Sequence, residues 1–461
     1  METLQRTANR GSISTGYDID NSLKVQAGEG EILYRDPTSG DRRTFTISFW
    51  FKRTQLTGFG ADPYFMGQGD NARFHLTLGS DTIRFMFDGN STELEASNKL
   101  RDVGAWYHII LAVDTTQGTN TNRVKAYVNG VQYPFNNNDW PSQNAESQWG
   151  HDQRQFINVK YANSTTGDSS YLNSGYYADF CWVDGQQLSP TDLGEYDDNS
   201  GIWKPIDLSD VTFGSQGYYL RFDDSSDLGA DSSGNGNNFS TTNLDANNQA
   251  VDTPTNNFCT LSELWQYAAT TTLTEGATKS TTSQGAWAGT KATIGLSAGK
   301  WYWEFKSSGA DSIVGIQTDG EDNIYSGNAH NQLSTCAIYL NGEVWIKDST
   351  SGRNDTDITH TFDSGHVYGI ALNMDDNQIS FYQNGSLITN GGDIALDGLA
   401  NKVVIPFSAQ YNTTVEMNFG GYTKFSISSA QSDGNGYGVF EHAPPSGYYA
   451  INTKNLAEYG G

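Results

Sequence analysis

Tyr107-His-Ile-Ile-Leu-Ala-Val-Asp114 is matched position for position by Tyr368-Gly-Ile-Ala-Leu-Asn-Met-Asp375, 261 residues further on. A second run follows each copy: Arg123-Val-Lys-Ala-Tyr-Val-Asn-Gly130 after the first and Gln378-Ile-Ser-Phe-Tyr-Gln-Asn-Gly385 after the second. The offset falls there to 255, so the copies differ by six residues of turn. An apolar run ending in Asp, a reversal, an alternating run and an Asn-Gly pair describe an antiparallel hairpin, because Asn-Gly accepts the positive φ angles of a two-residue turn. The pattern predicts an all-β chain, two antiparallel β-sandwiches in tandem with long polar loops.

Working outward, Thr44-Phe-Thr-Ile-Ser-Phe-Trp-Phe51 alternates cleanly. Phe45, Ile47, Phe49 and Phe51 fall on one face and Thr44, Thr46, Ser48 and Trp50 on the other, the signature of a core strand. Phe74-His-Leu-Thr-Leu and Thr82-Ile-Arg-Phe-Met-Phe87 continue it. Ser189-Pro-Thr-Asp192 has the cap, first-turn proline and early carboxylate of a short helix.

With 53 acidic and 27 basic residues among 461, the net charge of −26 argues against nucleic acid or anionic lipid as a partner. Aromatics at 13% exceed what a disordered acidic chain carries. Cys181, Cys259 and Cys336 are too few and too scattered for a disulfide framework or zinc site, and read as buried thiols. The first ten residues lack a signal-peptide core, and no run is long enough for membrane insertion.

The expected organisation is a tail over residues 1–20, an attachment peptide or a frayed end; a sandwich over 21–208; a turn-rich linker with one strand over 209–261; a sandwich over 262–425; and a C-terminal extension over 426–461. Within the first sandwich, the polar insertion from Asn136 to His151 is long enough to suggest binding. Its candidate ligand-binding residues are Trp140 and Trp149, whose indoles would stack on sugar faces, with Asn138, Asp139 and His151 beside them. The alternative is that each Trp plugs back into its own domain. Asp231, Ser233, Asn235 and Gly236 echo half of a calcium loop, but Thr242 stands where a bidentate Glu is needed. Tight turns are the default reading, with a bound calcium ion as the weaker alternative, and no other metal or cofactor is expected.

Ser48-Phe-Trp-Phe-Lys, Trp106-Tyr-His-Ile and Ala126-Tyr-Val-Asn-Gly resemble the laminin-G or concanavalin-like jelly roll over residues 20–208. Gly299-Lys-Trp-Tyr-Trp-Glu-Phe305, Ile313-Val-Gly-Ile, Val344-Trp-Ile-Lys and Val403-Val-Ile-Pro-Phe resemble, in that order, a SPRY domain over residues 262–425. That second resemblance implies a binding scaffold without chemistry of its own. The whole succession, with Gly201-Ile-Trp-Lys-Pro205, Asp231-Ser-Ser-Gly-Asn-Gly, Asp252-Thr-Pro-Thr-Asn-Asn-Phe and the closing Ala443-Pro-Pro-Ser-Gly-Tyr-Tyr-Ala-Ile-Asn-Thr-Lys-Asn-Leu456, resembles virion proteins of tailed bacteriophages of marine hosts. It implies a fibre, appendage or capsid or tail decoration located on the virion.

The Glu-x-Asp-x-x-Glu arrangement of sandwich glycosidases is absent. Glu195-Tyr-Asp197 comes nearest, and Glu304 stands alone in its strand. No His or Cys falls in a metal or nucleophile pattern. The chain is therefore expected to be non-enzymatic. Its expected partners are other virion proteins and bacterial surface polysaccharide, through weak contacts multiplied by copy number. A homo-oligomer is compatible with the sequence, although no heptad run specifies one. The rival readings are a purely structural decoration protein and a polysaccharide depolymerase.

Overall fold

The computed structural model describes residues 16–69, 72–88, 92–161, 167–267, 271–283, 285–319, 335–347, 352–355, 358, 360–389 and 392–460. Two compact units meet in the chain between Thr255 and Asn256. Each is a sandwich of antiparallel sheets.

In the first unit one sheet runs, in spatial order, Val131–Tyr133, Val124–Val128, Trp106–Asp114, Thr44–Arg53, Gly175–Asp184, Ser22–Val25 and Gln249–Ala250, with Tyr218–Leu220 also paired to Gly175–Asp184. The facing sheet runs Ser240–Thr242, Ile32–Arg35, Gln155–Ile157, Tyr64–Gln68, Ala72–Leu76, Ile83–Met86 and Glu93–Glu95. Phe45, Ile47, Phe49 and Phe51 enter the core between them and meet Phe65, Phe74 and Phe85. Full burial of such side chains stabilises by roughly 2 kcal/mol each, an upper figure.

The other face of Thr44–Arg53 is not solvated. Thr46, Ser48, Trp50 and Lys52 are all buried, because Leu193, Leu208 and Phe213 form a third layer over Ile110, Ala112 and Val183. The polar groups of Thr46, Ser48 and Lys52 find partners there: Thr46 Oγ1 donates to Gln186 O at 2.8 Å, Ser48 Oγ lies 2.8 Å from His108 Nε2, and Lys52 Nζ meets Asp252 Oδ2 at 2.6 Å. The short helix at Pro190–Asp192 is a 3-10 turn, in which Asp192 Oδ2 accepts from the Ser189 N–H at 2.8 Å.

The boundaries differ from those expected. Residues 1–15 of the expected tail lie outside the described residues, but Ile19 is buried and its N–H donates to Thr255 Oγ1 at 3.1 Å. Residues 209–255 are no linker: Tyr218–Leu220, Ser240–Thr242 and Gln249–Ala250 are strands of the first sandwich. Two- and three-residue strands in turn-rich sequence carry too little alternation to be read locally. Asp231 organises the loop expected to echo a calcium site. Its Oδ1 accepts from the Tyr219 and Ser233 N–H groups at 2.9 Å each, and Oδ2 from the Asn237 N–H at 2.8 Å.

In the second unit one sheet runs Leu261–Tyr267, Trp287–Ala292, Val404–Tyr411, Ser312–Thr318, Thr335–Tyr339, Glu343–Lys347 and Gly352–Asp355. The other runs Thr271–Thr274, Lys279–Thr282, Thr414–Asn418, Lys300–Ser307, Tyr368–Asn373, Gln378–Gln383 and Ser386–Leu387. Trp301, Trp303, Phe305 and Ile370 face Val314, Ile316 and Ile338 across the core. The expected C-terminal extension is part of this unit. Tyr449–Ala450 pairs in parallel with Lys300–Ser307, and the helix Thr453–Tyr459, capped by Asn452, buries Leu456.

Both hairpins read from the sequence are present. Trp106–Asp114 pairs with Val124–Val128, and Tyr368–Asn373 with Gln378–Gln383. The turns have φ of 49° and 77° at Asn129 and Gly130, and 48° and 73° at Asn384 and Gly385.

Candidate functional site

The structure separates the two indoles of the polar insertion. Trp149 is fully buried, with its ring stacked on Phe85 at 5.7 Å and its Nε1 donating to Met86 O at 2.8 Å. It offers no face to a sugar, and that part of the sequence expectation is corrected. Burying a ring of that area outweighs the polarity of the loop that carries it. Trp140 is half-buried, edge-to-face with Phe135 at 5.4 Å and packed on the same core. Asn138 and Asp139 are exposed. His151 is half-buried with Nδ1 2.5 Å from Asp152 Oδ1. The five residues do not form one recess.

A recess exists elsewhere in the first unit, on the outer face of the sheet that contains Ile32–Arg35 and Gln155–Ile157. It is a cavity of about 330 Å³ lined by Tyr34, Phe156, Leu172, Ser169, Thr242 and Asn243 among others. Register explains its floor. Leu33 and Ile157 pair and point into the core, so their neighbours Tyr34 and Phe156, paired with each other, point outward. Their ring centroids lie 6.2 Å apart at 41°.

Gly67 determines the wall. A Cβ there would come within 2.9 Å of Tyr161 N and 3.1 Å of Val159 O, so only glycine lets the chain at 159–161 cross this close above the sheet. The rim comes from the segment expected to be a linker. Thr242 pairs with Ile32, and Asn243, at φ 55°, donates Nδ2 to Glu29 O at 2.9 Å.

Cations stand over the flanking rings. The Arg154 guanidinium lies 4.5 Å from the Tyr34 centroid and donates to both carboxylate oxygens of Asp36 at 2.7 and 2.6 Å. That pairing holds Asp36 below the usual carboxylate range. Lys160 Nζ lies 4.3 Å from the Tyr171 centroid. The lining offers an aromatic floor with hydroxyl and amide groups above it, and among the described residues that line it there is no Asp, Glu, His or Cys. It can bind an amphiphilic ring.

None of this was read from the sequence, although Glu31-Ile-Leu-Tyr34 carried a signal. Ile32 and the ring of Tyr34 put apolar surface on the face opposite Leu33, so the strand is largely apolar on both faces, which points to partial cover on the second.

The groups that resemble catalytic ones have structural geometry. Ser48 Oγ lies 2.8 Å from His108 Nε2, and Trp203 Nε1 donates to His108 Nδ1 at 2.9 Å. An indole only donates, so the imidazole proton sits on Nε2 and points at Ser48, the reverse of nucleophile activation. Burial pushes the His108 pKa down to about 3. Glu304 is fully buried and accepts from the N–H groups of Glu441 and His442 at 2.8 Å each, and from Tyr302 and Asn418 at 3.2 Å each. Glu195 and Asp197 share Lys204 at 3.1 and 3.5 Å at the surface. Among the described residues no cluster of His, Cys, Asp and Glu is arranged to hold a metal ion, and no helix is long and apolar enough to cross a membrane.

Residues 27–168 match the model of the concanavalin A-like lectin/glucanases superfamily. Similar solved structures include the SPRY domain of human HERC1, at 15% identity over 36% of this chain and 99% of that one with a TM-score of 0.29. They also include the TRIM65 PSpry domain, at 12% over 35% and 88% with a TM-score of 0.29. A third is the heptameric SAP-like pentraxin of Limulus polyphemus, at 14% over 38% and 80% with a TM-score of 0.28. The sequence matches none of the curated proteins it was compared with.

Proposed function

We propose that this protein is a non-enzymatic surface component of a tailed-phage particle, a fibre, appendage or decoration, that attaches to glycans of the host surface. The observation that carries the binding reading is the recess over Tyr34 and Phe156, which combines ring faces for sugar C–H groups with Ser169, Thr242 and Asn243 for hydroxyls. The lectin/glucanase-like match over residues 27–168 supports the same ligand class. The virion role rests on the resemblance of the motif succession. Many weak sites on one particle would supply avidity.

The purely structural reading draws support from the edge strand Leu261–Tyr267, where Leu264 and Trp265 stand exposed, a surface suited to a neighbouring subunit.

A bacterial glycan array decides between them. Wild type is expected to bind a subset of glycans, and Ser169→Trp, which fills the recess from an exposed rim position, to lose the members of that subset that the recess holds. A blank array for wild type, or an unchanged pattern for Ser169→Trp, refutes the glycan reading. New reducing ends from host polysaccharide would convert the assignment to a depolymerase.

A further inference from the structure

We propose that the second unit carries a glycan-binding surface of its own, an aromatic row on the outer face of the sheet that contains Trp287–Ala292, Val404–Tyr411, Ser312–Thr318, Thr335–Tyr339 and Glu343–Lys347. The row rests on the proposed function only for its ligand class. It lies in the other unit and stands on separate observations.

Trp287 pairs across strands with Tyr411, their centroids 6.0 Å apart. Trp287 then contacts Tyr339 at 5.8 Å, and Tyr339 contacts Trp345 at 4.8 Å, both edge-to-face at 77° and 68°. Trp287 and Tyr339 belong to strands separated by two others. The cross-strand line from Tyr339 runs through Ile313 and Ala409 to Gly289, two residues from Trp287 on the same face, and the small Ala409 and Gly289 leave room for the indole to reach across. Trp287, Tyr339 and Trp345 cluster with Ile313, Ala337, Phe407 and Ala409, apart from the core between the sheets. Trp287, Tyr339 and Tyr411 are half-buried, and Trp345 at 7% exposure closes the end.

Two carboxylates hold the row in place. Tyr339 OH donates to Asp311 Oδ1 at 3.0 Å, and Trp345 Nε1 to Glu343 Oε2 at 2.7 Å. Rings fixed in this way lose little freedom when a ligand arrives. The three rings that reach the surface, Tyr411, Trp287 and Tyr339, have successive centroids 6.0 and 5.8 Å apart, close to the repeat of one pyranose along a glycan, so neighbouring sugars can each meet an exposed part of a ring. Asp311 and Glu343 at the margin accept hydroxyl hydrogen bonds and repel polyanions, as does the net charge of −26. The ligand that fits is a neutral glycan chain rather than an acidic one.

Native affinity electrophoresis of the full chain tests this, in gels containing dextran, galactomannan or hydroxyethylcellulose, with polygalacturonate as the acidic comparison. Wild type and Ser169→Trp should be retarded alike in at least one neutral gel. Trp287→Ala and Tyr339→Ala should bind about tenfold more weakly while keeping the wild-type circular dichroism spectrum, and Trp287→Tyr should recover most of the retardation. The proposal is overturned if no neutral gel retards wild type, if the ring variants migrate as wild type, if polygalacturonate retards more strongly, if Trp287→Tyr fails to recover, or if retardation disappears in Ser169→Trp. Failure of the first-unit recess alone leaves the neutral-gel result intact, so the two sites are separable.

Discussion

Each sandwich fastens its late segment with a buried carboxylate, and the two do so with opposite partners. In the first unit Asp252, in the late segment, meets the Lys52 ammonium of the central strand at 2.6 Å, and its Oδ1 accepts from Trp106 Nε1 at 3.1 Å. In the second unit Glu304, in the central strand, accepts the N–H groups of Glu441 and His442 from the late segment. One carboxylate is balanced by a full charge, the other by backbone dipoles and neutral donors. The difference teaches that closing a sandwich does not require a salt bridge, but that the choice sets how the closure responds to mutation and to pH.

The largest effect should follow from breaking the charged closure. Asp252→Ala leaves Lys52, which is 0% exposed, buried without that carboxylate, and is expected to cost about 3–5 kcal/mol in the first unit. Urea unfolding followed by first-unit tryptophan signals checks it; a loss near the level of a surface substitution would refute the role given to Asp252.

The dipolar closure should instead show itself in pH. Burial outweighs the four donors and pushes the Glu304 carboxyl up to about 7 from an ordinary 4.5. Between those values the folded unit holds a proton that the unfolded chain has released. The second unit therefore loses stability as pH rises through that window, by about 3 kcal/mol at most. Glu304→Gln should flatten this dependence while removing an acceptor for one of the N–H groups. Melting curves from pH 4 to 8 that slope equally in variant and wild type would contradict the assignment.

The hairpins allow a matched pair of smaller changes. Asn129 Oδ1 accepts from His108 N at 2.8 Å, and Asn384 Oδ1 from Val367 N at 3.0 Å. Asn129→Ala and Asn384→Ala each remove that bond and place alanine at positive φ, so each should cost about 1–2 kcal/mol. Unequal losses would show that the two turns are not equivalent. The smallest difference should come from the tyrosines. Tyr107 OH accepts from Asp102 N at 2.9 Å, and Tyr368 OH from Asp363 N at 3.4 Å. Tyr107→Phe should cost about 1 kcal/mol and Tyr368→Phe less, a ranking that thermal melts can reverse.

These tyrosines also show how far the duplication was legible. Asp102-x-Gly104-x-x-Tyr107 and Asp363-x-Gly365-x-x-Tyr368 stand in the sequence immediately before the repeated stretch. In both, Asp Oδ1 accepts the Gly N–H, at 2.8 and 2.7 Å. The repeat therefore begins earlier than residue type alone suggested. The register is offset as well. Val128, before the first turn, pairs with Ile109, whereas Gln383, before the second, pairs with Tyr368. Relative to the residue-by-residue match the second hairpin is shifted by two positions. An even shift keeps each side chain on its face, so alternation cannot reveal it.

The motifs behind the phage resemblance prove to be fastenings. Trp203 bonds His108, Asp231 gathers its loop, Asp252 pairs with Lys52, and Asn452 caps the last helix. Tyr34 and Phe156, like Trp287, Tyr339 and Tyr411, lie outside these four motifs. A resemblance carried by such residues speaks for architecture and leaves ligand choice to other positions.

What is local was legible from the residues alone: strand periodicity, the Asn-Gly reversals and the inward face of Thr44–Arg53. Those follow from backbone geometry and composition, which neighbouring residues settle among themselves. Only the tertiary structure decided that Trp149 points inward, that residues 209–255 close the first sandwich and that Asn243 overhangs Tyr34. Each depends on partners such as Lys52 and Asp252, 200 residues apart, and the burial of a polar segment is set by whichever distant group satisfies its hydrogen bonds.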